Sequence, residues 1–266
     1  MVTFSRDYAK NAGMWIESRD VAGGVRILTL NRPPANAING EVLDDLARAC
    51  DEAERDDAVR AVVFTGSGKF FSGGLDLAQL SADPAQRAKV MGFGKDDGVF
   101  ALWRLPKPTI AMVNGHAIAG GGILLLACDF RIAARTNLKI GLNEVALGLA
   151  FPIGAFEISR LALTNRQARR VLLEAGLYPL DTARELGFLD EVVEPDELES
   201  TCFERAALLG SYPRAAYAHT KRALQQQAHE RVRSETADEH AAIHAVWNSD
   251  ETLRTVTAQL AGIRRK

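Results

Sequence analysis

Two stretches carry glycine where a strand gives way to a helix. In residues 110–144 an apolar run, Ile110-Ala111-Met112-Val113, turns at Asn114-Gly115 and reaches Gly120, Gly121 and Gly122, followed by ILLLAC. The second junction is Phe70-Phe71-Ser72-Gly73-Gly74-Leu75-Asp76-Leu77. Glycine at such a junction lets backbone N–H groups come close to a ligand. The start of a helix also leaves N–H groups unpaired, with a partial positive charge. Each junction therefore offers one backbone donor, from Leu75 and from Gly120. Two donors aimed at one oxygen make an oxyanion hole, where loss of one donor costs roughly 2.7–4 kcal/mol of barrier. Glu144 is the acid of the otherwise apolar run IGLNEVALGLAF. It is the candidate for moving a proton on the carbon beside the polarised carbonyl. Burial would raise its pKa and strengthen it as a base. Each feature has a plainer alternative: glycines that serve close packing of helix on sheet, and a carboxylate exposed at a loop or helix start.

The elements that must position these residues read as α/β. Residues 14–16 and 25–30 form strands joined through Gly23-Gly24, a hairpin signal. Asn39 is placed to cap a helix whose Val42, Leu43, Leu46, Ala49, Cys50 and Ala53 share one face. Residues 61–65 are a strand. Residues 83–104 read as helical with internal Gly92, Gly94 and Gly98, a segment able to cover a cleft. Strands follow at 109–114, 130–133, 138–140 and 188–193, and helices at 152–163 and 166–174. A short helix over 180–187 has Asp181 as cap and Gly187 as stop. From 196 onward the chain is helical, over 196–210, 213–229 and 235–264. The strand–turn–helix unit recurs at 25–55, 60–100 and 110–128, which points to a spiral of sheet-and-helix turns. Residues 1–13 read as a loose leader.

Composition narrows the function classes. With 266 residues, 47% hydrophobic and 25% charged, the chain has ordinary globular composition and ample core. A formal charge of −2 gives no basic surface for nucleic acid or acidic membrane. No apolar run is long enough to span a membrane, and the N-terminus lacks the apolar region of a signal peptide. The scattered Cys50, Cys128 and Cys202 fit a reducing cytoplasm. No metal is expected, since His240 and His244 lack a nearby third ligand. The first strand–helix unit has no G-x-G-x-x-G, the glycine triplet lacks a phosphate-loop lysine, and Ser72 is not in a G-x-S-x-G elbow.

Four stretches in this order, LNRPPANAIN, VVFTGSGKFFSGGLDL, PTIAMVNGHAIAGGGILLLACDFRIAA and IGLNEVALGL, resemble the crotonase, or enoyl-CoA hydratase/isomerase, superfamily over residues 25–195. The resemblance implies a crotonase-like spiral of ββα units over 1–195. Over 196–266 it implies a helical trimerisation region that builds homotrimers, often paired into hexamers. It implies an acyl-CoA thioester substrate, with coenzyme A as part of that substrate and no separate cofactor. Leu75 and Gly120 then supply the oxyanion donors and Glu144 the proton-carrying carboxyl. Asn36, Ala37 and Ile38, with Gly73, Gly74, Asp76 and Leu77, line the CoA site, and Gly121 and Ile123 complete the substrate-contacting set. The implied setting is a cytoplasmic enzyme of fatty-acid metabolism.

One departure matters. Typical hydratases of this superfamily hold water between two glutamates; the first position falls at Ile123 and the second at Glu144. The run after Glu144 resembles the Δ3,Δ2-enoyl-CoA isomerases, in which one glutamate takes a proton from C2 and returns it to C4. An apolar Ile123 suits that chemistry and helps exclude water. Three expectations are carried forward: single-glutamate isomerisation; another acyl-CoA reaction such as hydration, hydrolysis or decarboxylation; and acyl-CoA binding without turnover. Among other polar residues, His116 reads as a structural hydrogen-bonding group and Asp129 as an internal contact. Lys221 and Arg222 lie on a solvated face or reach the CoA phosphates. Glu157 is a second acid or the partner of Arg160.

Overall fold

The computed structural model describes residues 14–263; the leader expected at 1–13 and the helix end expected at 264 lie outside the described residues. Strands β1 (Ile16–Val21) and β2 (Val25–Leu30) form the expected hairpin, paired antiparallel from Ile16↔Leu30 to Val21↔Val25. β1 runs on past residue 16 through Glu17-Ser18-Arg19-Asp20. It is an edge strand whose polar residues carry no apolar alternation to betray it. Helix α1 (Gly40–Arg55) is capped by Asn39, whose Oδ1 accepts from the Val42 N–H at 3.0 Å, and it buries the expected face.

From there the chain alternates between two sheets. β3 (Ala61–Gly66), β5 (Thr109–Val113) and β7 (Phe130–Ala134) enter a six-stranded sheet of order β1-β2-β3-β5-β7-β10, with β10 at Glu191–Val193. β4 (Phe70–Ser72), β6 (His116–Ile118) and β8 (Lys139–Gly141) enter a four-stranded sheet of order β4-β6-β8-β9, with β9 at Tyr178–Pro179. Each circuit lays one strand in each sheet. The first then passes into α2 (Leu77–Ala82), α3 (Pro84–Val90) and α4 (Gly98–Arg104), and the second into α5 (Gly120–Leu126). This is the spiral that the recurring unit suggested. β6 and β9 escape a sequence reading because two- and three-residue strands are too short to show a period.

The large sheet is buried on both faces, so its central strands read as continuous apolar runs. Leu28, Val62, Phe64, Ala111, Val113 and Ala133 face the main core. Val25, Ile27, Ala61, Val63, Ile110 and Ile132 face a second core closed by Leu198, Cys202 and Ala206 of α9 (Leu198–Gly210). Between α5 and α9 lie α6 (Ile153–Ala162), α7 (Asn165–Glu174) and α8 (Leu180–Glu185). Asp181 is not a cap: α8 opens after Pro179 with no side-chain cap bond, and Asp181 sits in its first turn.

The C-terminal region continues with α10 (Arg214–Arg233), packed on α6. The helix expected over 235–264 is two, α11 (Ala237–Trp247) and α12 (Asp250–Ile263), broken at Asn248 and Ser249. Both fold back on the loop after β8. Trp247 Nε1 donates to the Ala150 carbonyl at 2.7 Å and Thr252 Oγ1 to the Gly148 carbonyl at 2.6 Å. Among the described residues, no helix is long and apolar enough to cross a membrane.

Candidate active site

The three residues singled out for chemistry lie beyond the same ends of three adjacent parallel strands. Leu75 comes after β4, Gly120 after β6 and Glu144 after β8. The carboxyl ends of parallel strands are where α/β sheets gather ligands, because each chain must turn there and its backbone is free. In-register pairing of β6 with β8 (Ala117↔Ile140, Ile118↔Gly141) fixes the second and third residues relative to one another. The Ala119 N–H extends that pairing by donating to the Gly141 carbonyl at 2.8 Å.

The turns that carry Leu75 and Gly120 touch. Gly74 has φ +86, and a Cβ on it would stand 2.6 Å from the Ile118 carbonyl oxygen and 3.3 Å from the Gly120 nitrogen. Ser72 locks this turn. Its Oγ donates to the Asn36 carbonyl at 2.8 Å and accepts from the Gly74 N–H at 3.2 Å. Leu75 sits in an isolated parallel bridge with Ile38. Ile38 receives the Asp76 N–H and donates to the Gly74 carbonyl, each at 2.8 Å, so the bridge leaves the Leu75 N–H directed away from Ile38. Ala119, just before Gly120, is held at φ 50, ψ −124, a conformation that costs a non-glycine residue of order 1–3 kcal/mol. Behind Gly120, a Cβ on Gly121 would overlap the Ser72 carbonyl, so this glycine serves close packing of α5 on β4.

Glu144 is buried, at 6% exposure. Its Oε2 has no hydrogen-bond partner in the chain, and burial pushes its carboxyl up to about 8. Its own backbone N–H is the small opposing influence. The Glu144 carbonyl accepts from the Leu147 and Leu149 N–H groups, both at 2.9 Å, which pins the loop that carries it. Ile123, on α5, is 1% exposed.

The remaining expected contacts divide. Ile38, Leu75 and Phe93 wall Gly120: a Cβ there would meet Phe93 Cζ at 3.4 Å, Ile38 Cδ1 at 3.5 Å and Leu75 Cδ2 at 3.6 Å. Phe93 was not among the sequence candidates; its only signal is an aromatic residue between Gly92 and Gly94. Leu77 lines a 20 Å³ cavity with Leu80, Leu149, Trp247 and Val256. Ala37 and Gly73 are partly exposed. The Asn36 side chain is fully occupied: its amide donates to the Ser67 and Phe70 carbonyls at 2.9 and 2.8 Å, and its oxygen accepts from Arg32 N at 3.1 Å. Asp76 caps α2 through Gln79 N at 3.1 Å and pairs with Arg32 at 2.7 Å. Both residues position the loop, with their polar groups turned to the protein.

Lys221 does not reach outward. It is 7% exposed and pairs with Asp129 at 2.9 Å, with Tyr217 donating to the same carboxylate at 3.0 Å. This buried group fastens α10 to the core and gives Asp129 its internal contact. Arg222 is exposed. His116 accepts from the Lys139 N–H at 2.9 Å, and burial holds its pKa down. Glu157 pairs with Arg160 at 2.7 Å but is itself buried. The described residues hold no group of three or more candidate metal ligands. A cavity of about 440 Å³ between α5, α6 and α10 is lined in part by Asp129, Tyr217 and Lys221, and its lining does not include Leu75, Gly120 or Glu144.

Comparisons with known proteins agree on one family. A family model described as enoyl-CoA hydratase/isomerase matches residues 20–260. A short-chain-enoyl-CoA hydratase of Clostridium acetobutylicum is 31% identical over 239 residues, covering 89% of this chain and 91% of that one. Human mitochondrial Δ3-Δ2-enoyl-CoA isomerase superposes with a TM-score of 0.88 at 25% identity, covering 95% of this chain and 99% of that one. A Mycobacterium tuberculosis protein, described as an enoyl-CoA isomerase in one solved structure and as a probable enoyl-CoA hydratase in another, gives TM-scores of 0.75 and 0.77 at 32% and 31% identity, covering 87% and 90% of this chain and 97% and 99% of that one.

Proposed function

Because the chain belongs to the enoyl-CoA hydratase/isomerase family, we propose that it moves the double bond of a 3-enoyl-CoA thioester to the 2-position, with Glu144 as the proton carrier. The thioester oxygen lies between the N–H groups of Leu75 and Gly120. Glu144 takes a proton from C2, and the C–H electron pair passes into the enolate whose oxygen the two donors hold. The same carboxyl then gives the proton to C4. The π electrons of the 3,4-bond take it up as the enolate collapses to a 2,3-double bond, so the product has the formula of the substrate. A carboxyl raised to about 8 by burial shares its proton readily near neutral pH.

The observation that carries this over hydration is Ile123. It is a buried apolar residue, 1% exposed, where the resemblance puts the first of a hydratase's two glutamates. Water addition needs a group that orients water, and the hydrocarbon side chain of isoleucine cannot do so. Hydration is the second reading, favoured by the name of the Clostridium relative. The test follows conjugation of 3-enoyl-CoA by absorbance. Wild-type protein should form the conjugated thioester and Glu144→Gln should not; equal rates would remove Glu144 from the mechanism. The same reading includes coenzyme A bound only as part of the substrate, assembly into trimers or hexamers through residues 196–266, a spiral core over 1–195 and a cytoplasmic location. Light scattering should return the mass of a trimer or hexamer.

A further inference from the structure

The turn over residues 91–97, between α3 and α4, is internally bonded. Phe93 N–H donates to the Val90 carbonyl at 3.0 Å, Lys95 N–H to the Gly92 carbonyl at 2.9 Å, and Gly94 N–H to Asp97 Oδ2 at 3.0 Å. Asp97 also caps α4 through the Val99 and Phe100 N–H groups. The turn presents Phe93, 2% exposed, to the donor Gly120. On its other side Lys95 Nζ meets Glu235 Oε2 at 2.7 Å, across 140 positions of sequence. Glu235 lies between α10 and α11, and its side chain is only 3% exposed. His240 Nδ1 stands 3.7 Å from the same oxygen. A carboxylate covered to that degree needs its cation, and a pair that joins a turn to a remote helix end fixes the turn in place.

The geometry points to the Lys95–Glu235 pair as a positioning device: the C-terminal region holds the Phe93 turn against the oxyanion donor and so shapes the acyl side of the site. The assignment of an acyl chain to that side rests on the function proposed above. Phe93 is the residue that would touch the chain; Lys95 and Glu235 act through it. Loss of the pair lets the turn move and widens the space beside Gly120, while the CoA-facing loop, held by Asn36, Ser72 and Asp76, is untouched.

Glu235→Gln and Lys95→Met remove the charge pair, and Glu235→Asp keeps the charge with a shorter arm. Hydrogen exchange in the full-length protein reads the turn without any ligand. The amides of Phe93, Gly94 and Lys95 should exchange faster in both charge-removing variants and return toward wild type in Glu235→Asp. Binding of saturated acyl-CoA thioesters of increasing chain length, and of free CoA, is measured beside it. Acyl-CoA affinity should fall about tenfold for the medium and long chains, as expected when apolar chain surface loses its contact with Phe93, with free CoA affinity unchanged. Unaltered exchange across the turn would overturn the positioning role. So would an equal loss of affinity for free CoA and for every chain length. Failure of the wild-type protein to bind any acyl-CoA, with exchange changed as stated, would refute the proposed function and leave the pair's hold on the turn intact.

Discussion

Glu144→Gln separates what the carboxyl contributes to chemistry from what it costs the fold. Burial raises the Glu144 carboxyl from 4.5 to about 8. A carboxyl raised on folding binds its proton more tightly in the native state. Its stabilising contribution is complete below the unfolded value and is lost as pH rises through the folded one. Integrated from 4.5 upward, the native state has given up about 3 kcal/mol near neutral pH at about 1.36 kcal/mol per pH unit. Glutamine has nearly the same shape and never ionises. The variant should therefore match wild type in acid and become more stable as pH rises. For a chain of this size about 3 kcal/mol corresponds to roughly 6–12 °C in Tm. Activity moves the other way, with a loss of at least about 10²–10⁴-fold for removal of the proton carrier. Wild-type kcat/KM should climb with pH toward about 8 as the carboxyl ionises. The assay is thermal unfolding of both proteins across that range, with turnover measured on the same samples. A Tm difference that does not grow from acid to neutral pH would refute the buried, desolvated carboxyl. Near-normal turnover of the variant would refute its role.

Three further substitutions test separate parts of the site. Gly74→Ala forces a side chain into φ +86 and against the Ile118 carbonyl; it should cost about 1–3 kcal/mol of stability and, by spreading the donors, lower kcat about 10²–10³-fold, read by unfolding and steady-state kinetics. Lys221→Met strips Asp129 of its buried cation and should destabilise by about 3–5 kcal/mol with free CoA affinity unchanged; weaker CoA binding in a protein of normal stability would restore Lys221 to the phosphate site. Ile123→Glu places a carboxyl on α5 in addition to Glu144 and should add a measurable hydration product from 2-enoyl-CoA at some loss of Tm; its absence in a folded variant would count against Ile123 as the position that separates the two reactions.

The parts of the fold visible in sequence were those with a period or a punctuating residue. The α1 face, the hairpin at Gly23-Gly24 and the central strands of the large sheet each carry one. The small sheet does not, since β6 and β9 are only 3 and 2 residues long, yet this sheet is what brings Leu75, Gly120 and Glu144 to one end. Their types and the glycine spacing were legible; their convergence was not derivable from spacing alone. Side-chain roles that depend on distant partners were the hardest to see. Asp76 and Asn36 spend their polar groups on Arg32, Ser67 and Phe70, and Lys221 is consumed by Asp129, 92 residues away. Phe93 and Glu235 matter only through a contact that no local pattern announces.

The most direct measurement of the central claim is to incubate the pure protein separately with a 3-enoyl-CoA and a 2-enoyl-CoA and to resolve the products by mass and chromatography. A 2-enoyl product of unchanged mass from the first, with no gain of water by the second, is the expected result. Gain of water by the 2-enoyl substrate, with no shift of the 3-enoyl bond, would contradict single-glutamate isomerisation.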